Sequence, residues 1–488
     1  MSASGRNGKR PKTRWRRRWR FPTGTVFPNL FCPLSVKLEQ LNGQRVAIWG
    51  AGREGLALAE LLRSRLPETP LVMLNDAPLD AERKARLDAL GVAEIIEGDR
   101  VGEALARFEA IFKSPGVSQY RQDILAAKAG GTRFTSGTQL WFDEHPGATT
   151  ICITGSKGKS TTASLVAAML RHQGKSTVLA GNIGLPLAEL FDQPEAEFHV
   201  IELSSYQTAD LDVHPSLGVL LNLFPEHLDW HGSVARYYAD KLRLFHRLGP
   251  GEAIINAVDA GTASSGFHWR NPVYFNDPGG LHVRDGWFFD GARRLFPATG
   301  LPLPGAHNQS NICAALSVLK RLGLPLMPAR EAIEHFRPLP HRFESIGEIG
   351  GIEYIDDSIS TIPQAAIEAM KALPERRVTV LLGGYDRELE YAPLIDYLLG
   401  ESARHRVAVI CMGDSGKRLY RELKARGAQG QPPAFLVSGL GEAVAVARRE
   451  TPAGGVVLLS PAAPSYGEFS SFAERGEAFR RLAMAGIS

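Results

Sequence analysis

Residues 149–170 read TTICITGSKGKSTTASLVAAML. A short β-branched and apolar run stops at a loop of glycine, lysine and hydroxyl side chains, and an Ala- and Leu-rich helical stretch begins at once. Strand, tight loop and helix in that order make a nucleotide-phosphate cradle. Gly155 and Gly158 let the backbone approach phosphate, Ser156 and Lys157 between them are expected at ATP, and free N–H groups at the helix start point at the anion. Lys159 adds a charge, and Ser160 or Thr161 offers Mg²⁺ an oxygen. Two residues separate Gly155 from Gly158, where the commoner phosphate loop has four between its glycines, so the loop is a variant of that motif. A turn that merely caps a helix needs neither the buried strand before it nor the Lys-Ser-Thr after it.

Upstream, residues 45–62 (RVAIWGAGREGLALAELL) give a strand, then Gly50, Gly52 and Gly55 in G-x-G-x-x-G spacing, then a helix. A second strand ends at Asp76, about where a dinucleotide fold places its ribose-binding acid. Any nucleotide diphosphate can use such a helix start, so the pattern points to a fold before it points to a ligand. Residues 110–117 (AIFKSPGV) run from a strand into a tight turn at Ser114, Pro115 and Gly116, and EHPG at 144–147 reads as a linker. Downstream, strands alternate with helices in two further blocks, so the chain is expected to be α/β with three domains. These are a Rossmann-like domain over 37–144, a central ATPase-type parallel sheet over 145–338, and a Rossmann-like α/β domain over 339–488.

Length and composition agree with a soluble globular protein of several domains. The chain has 488 residues, 44% hydrophobic and 22% charged, and no apolar run approaches the roughly 20 residues that span a bilayer. Four scattered cysteines, Cys32, Cys152, Cys313 and Cys411, form no CxxC pair and read as reduced core thiols. Residues 1–20 hold nine Lys or Arg and no acid; taking these from the net charge of +4 leaves the body at −5. Residues 1–36 are therefore expected to form a basic, disordered extension without the apolar core of a secretory signal, and the protein is expected in the cytoplasm.

Polar residues gather where the central strands end, the position at which parallel sheets bind ligands. HVIELSSYQ (199–207) brings Glu202, Ser204 and Gln207, and LNLFPEHLDWHGS (221–233) brings Asn222, Glu226, His227 and Asp229. Mg²⁺ on ATP phosphates wants a few hard oxygen ligands, for which Ser160 and Glu202 are suited. His227 has two readings, a hydrogen-bonded structural histidine or a ligand.

The ordered set TGSKGKST, GNIG, ELSSYQ, NLFPEHLDWHGS, YYADKLRLF, GAHNQSNICAA, LPHRFE, IDDS and LLSPAAPSYGEF resembles the Mur ligases from about Arg45 to the C-terminus. ELSSYQ, the SPG turn and SPAAPSYGEFSSFAERGEAF are similar to the glutamate-adding branch. The resemblance implies an ATP-dependent ligase of peptidoglycan precursor synthesis that joins glutamate to UDP-N-acetylmuramoyl-L-alanine through an acyl phosphate. By the same resemblance Lys159 meets the β- and γ-phosphates, Ser160 and Glu202 hold one Mg²⁺, and His227 holds a second, supported by Lys241 as an N-carboxylated lysine. Asn182 falls at a substrate and γ-phosphate contact, and Asn308, Asn311, Arg342 and Asp357 at ATP. Gly52, Arg53, Glu54, Asp76 and Ser114 to Gly116 fall where the family holds uracil and pyrophosphate. Ser204 and Gln207 fall on the substrate side, and Thr361, Arg387, Ser465 and Phe472 at the amino acid. A monomer without nucleic-acid or membrane partner is implied.

The chain departs from the usual D-glutamate pattern, with Lys157 for Asn in the loop, Ile359 for a lysine, and Arg387 for the lysine that holds glutamate. Inverting the α-carbon exchanges where the two carboxylates lie, so charge carriers around the amino acid should move. The departures resemble the branch that adds L-glutamate, with D-glutamate the alternative. An NAD-dependent oxidoreductase would use Gly50, Gly52, Gly55 and Asp76 but leaves Lys159, Glu202 and the HRFE motif unexplained. An inactive nucleotide-binding protein would be expected to lack Lys159, Glu202 or His227.

Overall fold

The computed structural model describes residues 36–337, 339–400, 406–426 and 432–485. Apart from Val36, the expected basic extension lies outside the described residues, as do Cys32 and Pro338. Three sheets follow one another along the chain. The first contains β1 (Val46–Trp49), β2 (Leu71–Asn75), β3 (Glu94–Glu97), β4 (Ala110–Lys113) and β5 (Arg133–Thr135), all parallel, in the order β3-β2-β1-β4-β5. Strand order reverses at β1, and the chain there turns through Gly50 to Gly52 into helix α1 (Arg53–Arg65). Gly55 is required, since a Cβ there would stand 1.9 Å from the Gly50 carbonyl oxygen.

The second sheet contains β6 (Thr150–Thr154), β7 (Thr177–Gly181), β8 (Phe198–Glu202), β9 (Leu217–Leu220), β10 (Ala253–Asn256), β11 (Val273–Phe275), β12 (Leu281–Arg284), β13 (Trp287–Asp290) and β14 (Arg293–Pro297). Its order is β14-β13-β12-β11-β10-β9-β6-β8-β7. The strands from β7 to β11 are parallel, as expected, and β6 is buried along its whole length, as a strand covered on both faces must be. An antiparallel meander of β12, β13 and β14 extends this parallel sheet at one edge. Asp285 and Gly286, both at positive φ, turn β12 into β13, the backbone that an Asp-Gly pair supplies to a tight hairpin.

Five helices of this unit bear on the site: α2 (Lys159–His172), α3 (Ser205–Ala209), α4 (Leu228–His231), α5 (Val234–Leu242) and α6 (Ala306–Arg321). α2 and α6 pack together, and Ala163, Ala167, Ala314 and Ala315 are buried in the core they share. Small side chains let two axes approach, and the approach brings the start of α6 up to the phosphate loop.

The third sheet contains β15 (Glu344–Ile349), β16 (Ile352–Asp356), β17 (Val378–Leu382), β18 (Val407–Cys411), β19 (Ala434–Leu436) and β20 (Val456–Leu459), in the order β15-β16-β20-β17-β18-β19, antiparallel at β15 alone. Helix α7 (Phe472–Met484) follows. Cys152, Cys313 and Cys411 are buried free thiols. Among the described residues no helix is long and apolar enough to cross a membrane.

Candidate functional site

The order of the central sheet reverses at β6, which lies between β8 and β9, and the phosphate loop leaves its carboxyl end. Gly158 caps α2 at φ 85, and a Cβ there would stand 2.4 Å from Asn311 Oδ1. The loop is tied to the chain after β9. Ser156 N donates to Asn222 O at 3.0 Å and Lys157 N to Asn222 Oδ1 at 2.8 Å, while Asn222 Nδ2 donates to Lys157 O at 3.0 Å. Ser156 Oγ donates to Phe224 O at 2.8 Å, accepts from Phe224 N at 2.8 Å, and meets the Tyr237 hydroxyl at 2.7 Å. The N–H and hydroxyl of Ser156 are thus engaged within the protein, where they shape the loop.

Two amines crowd the loop from inside. Lys159 Nζ donates to Ser156 O at 3.0 Å, and Lys241 Nζ, on α5, donates to Gly155 O at 3.0 Å. A lysine on a short helix is ordinarily solvated, yet Lys241 is 1% exposed. Burial, then the charge of Lys159, holds its pKa well below the ordinary lysine value. Burial also lowers Lys159, against the pull of Glu202 and Glu226.

Glu202 ends β8. Its Oε1 accepts from Asn182 Nδ2 at 2.9 Å, but its Oε2 is buried without a partner. A buried carboxylate oxygen left unsatisfied is costly and asks for a cation. Ser160, buried in the first turn of α2, adds a hydroxyl, so this donor set fits Mg²⁺. Lys157 pairs with Glu226 at 2.8 Å. Next to Glu226, His227 lies in the left-handed region at φ 54, its ring 4.9 Å from that of Tyr206, and burial lowers its pKa to about 4. A neutral imidazole has a lone pair for a metal.

On the first unit's side, Gly52 caps α1 and Arg53 donates to Gly184 O at 2.7 Å. Glu54 Oε1 accepts from Gln207 Nε2 at 2.9 Å, and burial raises its pKa. Gln207 and Ser204 cap α3 reciprocally, so Glu54, Ser204 and Gln207 come together across the seam. Glu54 also lines a small recess with Lys113, Ser114, Thr138 and Pro186. Asp76 stands exposed at the rim, ion-paired with Arg121 at 2.9 Å; Arg121 lies over the Trp49 ring at 4.7 Å and was not singled out from the sequence. The turn at Pro115 and Gly116 is held by Trp230 Nε1, which donates to Gly116 O at 3.0 Å.

In the third unit the relevant residues follow carboxyl ends of strands. Asp357, after β16, accepts from Ser360 Oγ at 2.5 Å, Ser460 Oγ at 2.8 Å and Phe343 N at 3.2 Å, yet burial lifts its pKa to about 6. Burial lowers the Arg342 pKa against the charges of Glu202 and Asp357, and the guanidinium charge is in turn felt at Lys159 of the central unit. Asn308 Nδ2 donates to Pro304 O at 2.8 Å, and Asn308 Oδ1 accepts from Asn311 Nδ2 at 3.3 Å, so this pair braces the loop from α6. Ser465 is buried, Thr361 and Phe472 are half-buried, and exposed Arg387 lies 5.5 Å from the Tyr466 ring, its charge also felt at Tyr206.

Sequence reasoning missed two buried assemblies. Arg475 donates from Nε to Ser358 Oγ at 3.0 Å and from Nη2 to Ser358 O at 2.8 Å and Ala463 O at 3.1 Å, joining the loops that carry Ile359 and Ser465. Tyr120, Asp240, His231 and Ser205 form a chain of hydrogen bonds between the first and central units. The signal for the second was Asp240 directly before Lys241 and His231 four residues after His227.

Comparison with known proteins gives the family. The family profiles described as Mur ligase middle domain and as Mur ligase, glutamate ligase domain match residues 153–272 and 341–463. A UDP-N-acetylmuramoyl-L-alanine--L-glutamate ligase from Xanthomonas axonopodis pv. citri is 42% identical over 461 residues, covering 92% of this chain and 97% of its own. A protein of the same name from Micromonospora is 40% identical over 455 residues, covering 91% and 97%. Among solved structures, MurF ligase from Thermotoga maritima in complex with ADP has a TM-score of 0.56 at 18% identity, covering 91% of this chain and 95% of its own. UDP-N-acetylmuramate-alanine ligase MurC from the same organism also has a TM-score of 0.56, at 20% identity, covering 89% and 98%. These two show a common fold; with the sequence matches, they make the chain a member of the Mur ligase family of ATP-dependent, amide-forming ligases.

Proposed function

We propose that this ligase joins L-glutamate to UDP-N-acetylmuramoyl-L-alanine, forming ADP and phosphate. The observation that carries the reading is a likeness of 42% identity, over nearly the whole chain, to proteins named for that reaction. The nucleotide-sugar end lies along Arg53, Glu54, Asp76 and the Ser114 to Gly116 turn, with Ser204 and Gln207 at the seam. ATP lies on the loop, contacted by Lys159, Asn182 and Thr161 and covered by Arg342 and Asp357. The alanyl carboxylate attacks the γ-phosphorus and ADP leaves; the glutamate amine then attacks the acyl carbon, losing a proton, and phosphate leaves. Such transfer needs positioning and charge neutralisation more than covalent help.

Mg²⁺ supplies part of that neutralisation, with Ser160 and Glu202 as its holders and His227 with Lys241 as the second set. Lys241 is suited to carry an N-carboxyl group, because a buried lysine of lowered pKa presents the neutral amine that adds to CO₂. Carboxylation converts that neutral amine beside Lys159 into an anion. Thr361, Arg387, Ser465 and Phe472 receive glutamate, and Arg387 with Ile359 sets the preference for the L form over the alternative D form. Domain limits at 37–144, 145–338 and 339–488 complete the proposal, each unit centred on one sheet.

The test is formation of ADP and phosphate by purified protein, with product mass recorded. Turnover requiring both UDP-N-acetylmuramoyl-L-alanine and glutamate, with a product heavier by one glutamyl residue, is expected. ATP hydrolysis indifferent to both would overturn the reading.

A further inference from the structure

Tyr120 OH donates to Asp240 Oδ1 at 2.6 Å, Asp240 Oδ2 meets His231 Nδ1 at 2.6 Å, and His231 Nε2 meets Ser205 Oγ at 3.0 Å. Serine, histidine and aspartate in that order resemble a nucleophilic relay. No substrate reaches this one, since Ser205 is 3% exposed and His231 0%. A buried polar chain in which each member is satisfied fixes orientation rather than reacting.

Its ends show what is oriented. Tyr120 lies four residues beyond Gly116, in the segment that follows the substrate turn of the first unit. Trp230 of α4 clamps that segment through Gly116 O and by accepting from Ser118 Oγ at 2.9 Å; the Tyr120 ring meets Trp230 edge-on at 5.9 Å. Asp240 precedes Lys241 on α5, and one residue reaches toward Tyr120 while the next reaches Gly155 of the phosphate loop. His231 ends α4, whose cap is His227. The two residues assigned to the second cation therefore belong to short elements that are joined to each other and to the substrate turn by one network.

We propose that Tyr120 and Asp240 are positioning residues that tie the seating of the nucleotide-sugar substrate to the placement of Lys241 and His227. The inference rests on the assignment of those two residues under Proposed function. Removing one hydroxyl from a network behind metal-binding side chains typically costs tenfold or more.

The test uses the full-length protein with Tyr120→Phe, which keeps the ring, and with Asp240→Asn as a second variant. Expected in both are a kcat about tenfold lower, KM for ATP and for the nucleotide sugar within about twofold, and a several-fold higher Mg²⁺ requirement. A weaker ¹³C carbamate resonance after incubation with ¹³C-bicarbonate is the readout independent of turnover. Unchanged kcat, Mg²⁺ dependence and resonance, with only thermal stability lowered, would overturn the proposal, as would a raised nucleotide-sugar KM at constant kcat. If the wild type gave the resonance without nucleotide-sugar-dependent turnover, the proposed reaction would fail, while an undiminished resonance in the variants would separately refute the coupling.

Discussion

Around the phosphate loop, Ser156, Lys157, Lys159 and Lys241 all have hydrogen-bond or ion-pair partners within the central unit. Across the cleft Arg387 stands exposed beside the Tyr466 ring, on the loop after β17, and Thr361 and Phe472 are only half-buried. The first region is fixed before any ligand arrives; the second is open and belongs to a separate sheet. Phosphoryl transfer draws on groups already oriented in a site of low dielectric, where reorganisation costs least. Choice of amino acid depends on a few charges at the edge, so selectivity can change without disturbing the phosphate chemistry.

The contrast is broken most severely at the loop. Lys159→Ala should lower kcat at least about 100-fold by removing charge compensation at the transferring phosphate, as measured by phosphate release. Residual activity above about 10% would remove Lys159 from that role. Lys241→Ala should lose roughly 10- to 100-fold and be partly restored by short carboxylic acids that stand in for the carbamate. Failure of rescue would count against carboxylation.

A milder, selective effect is expected on the open side. Arg387→Ala removes one charge-assisted contact and should raise KM for glutamate about 10- to 100-fold while leaving KM for ATP unchanged. An equal rise for ATP would mean that the two regions are not separable.

The smallest effect concerns Asp357, which lies between them. Its folded pKa of about 6 is raised by burial, so the folded chain keeps a proton that the unfolded chain releases near pH 4. That contribution to stability is present below about pH 4 and lost as pH rises through about 6. Asp357→Asn should therefore flatten the dependence of Tm on pH between these values, by a few degrees in a thermal scan, while weakening ATP binding. An unchanged profile would show that Asp357 ionises without penalty.

The same contrast decides what the sequence revealed. The phosphate loop, the strand ends at Glu202 and His227 and the glycine turn at Gly50 are local patterns, in which a few consecutive residues determine backbone shape. The meander β12 to β14 was also written locally, in Asp285-Gly286 between alternating apolar residues, but it was masked by the alternation of strands and helices on either side. The strap at Asn222, the Asp76 and Arg121 pair and the links from Tyr120 to Asp240 and from Arg475 to Ser358 were not legible. Each joins residues distant in sequence, and no spacing rule reaches across such intervals. Burial of Lys241 was equally hidden, since nothing on a nine-residue helix announces which side faces the loop.

The central claim is tested most directly by comparing L-glutamate with D-glutamate in parallel, following phosphate release from ATP, Mg²⁺ and UDP-N-acetylmuramoyl-L-alanine by the unmodified protein. Turnover with the L form, and little with the D form, is the result expected from Arg387 and Ile359. Turnover with the D form alone would contradict it, and would mean that those two positions do not set the stereochemistry.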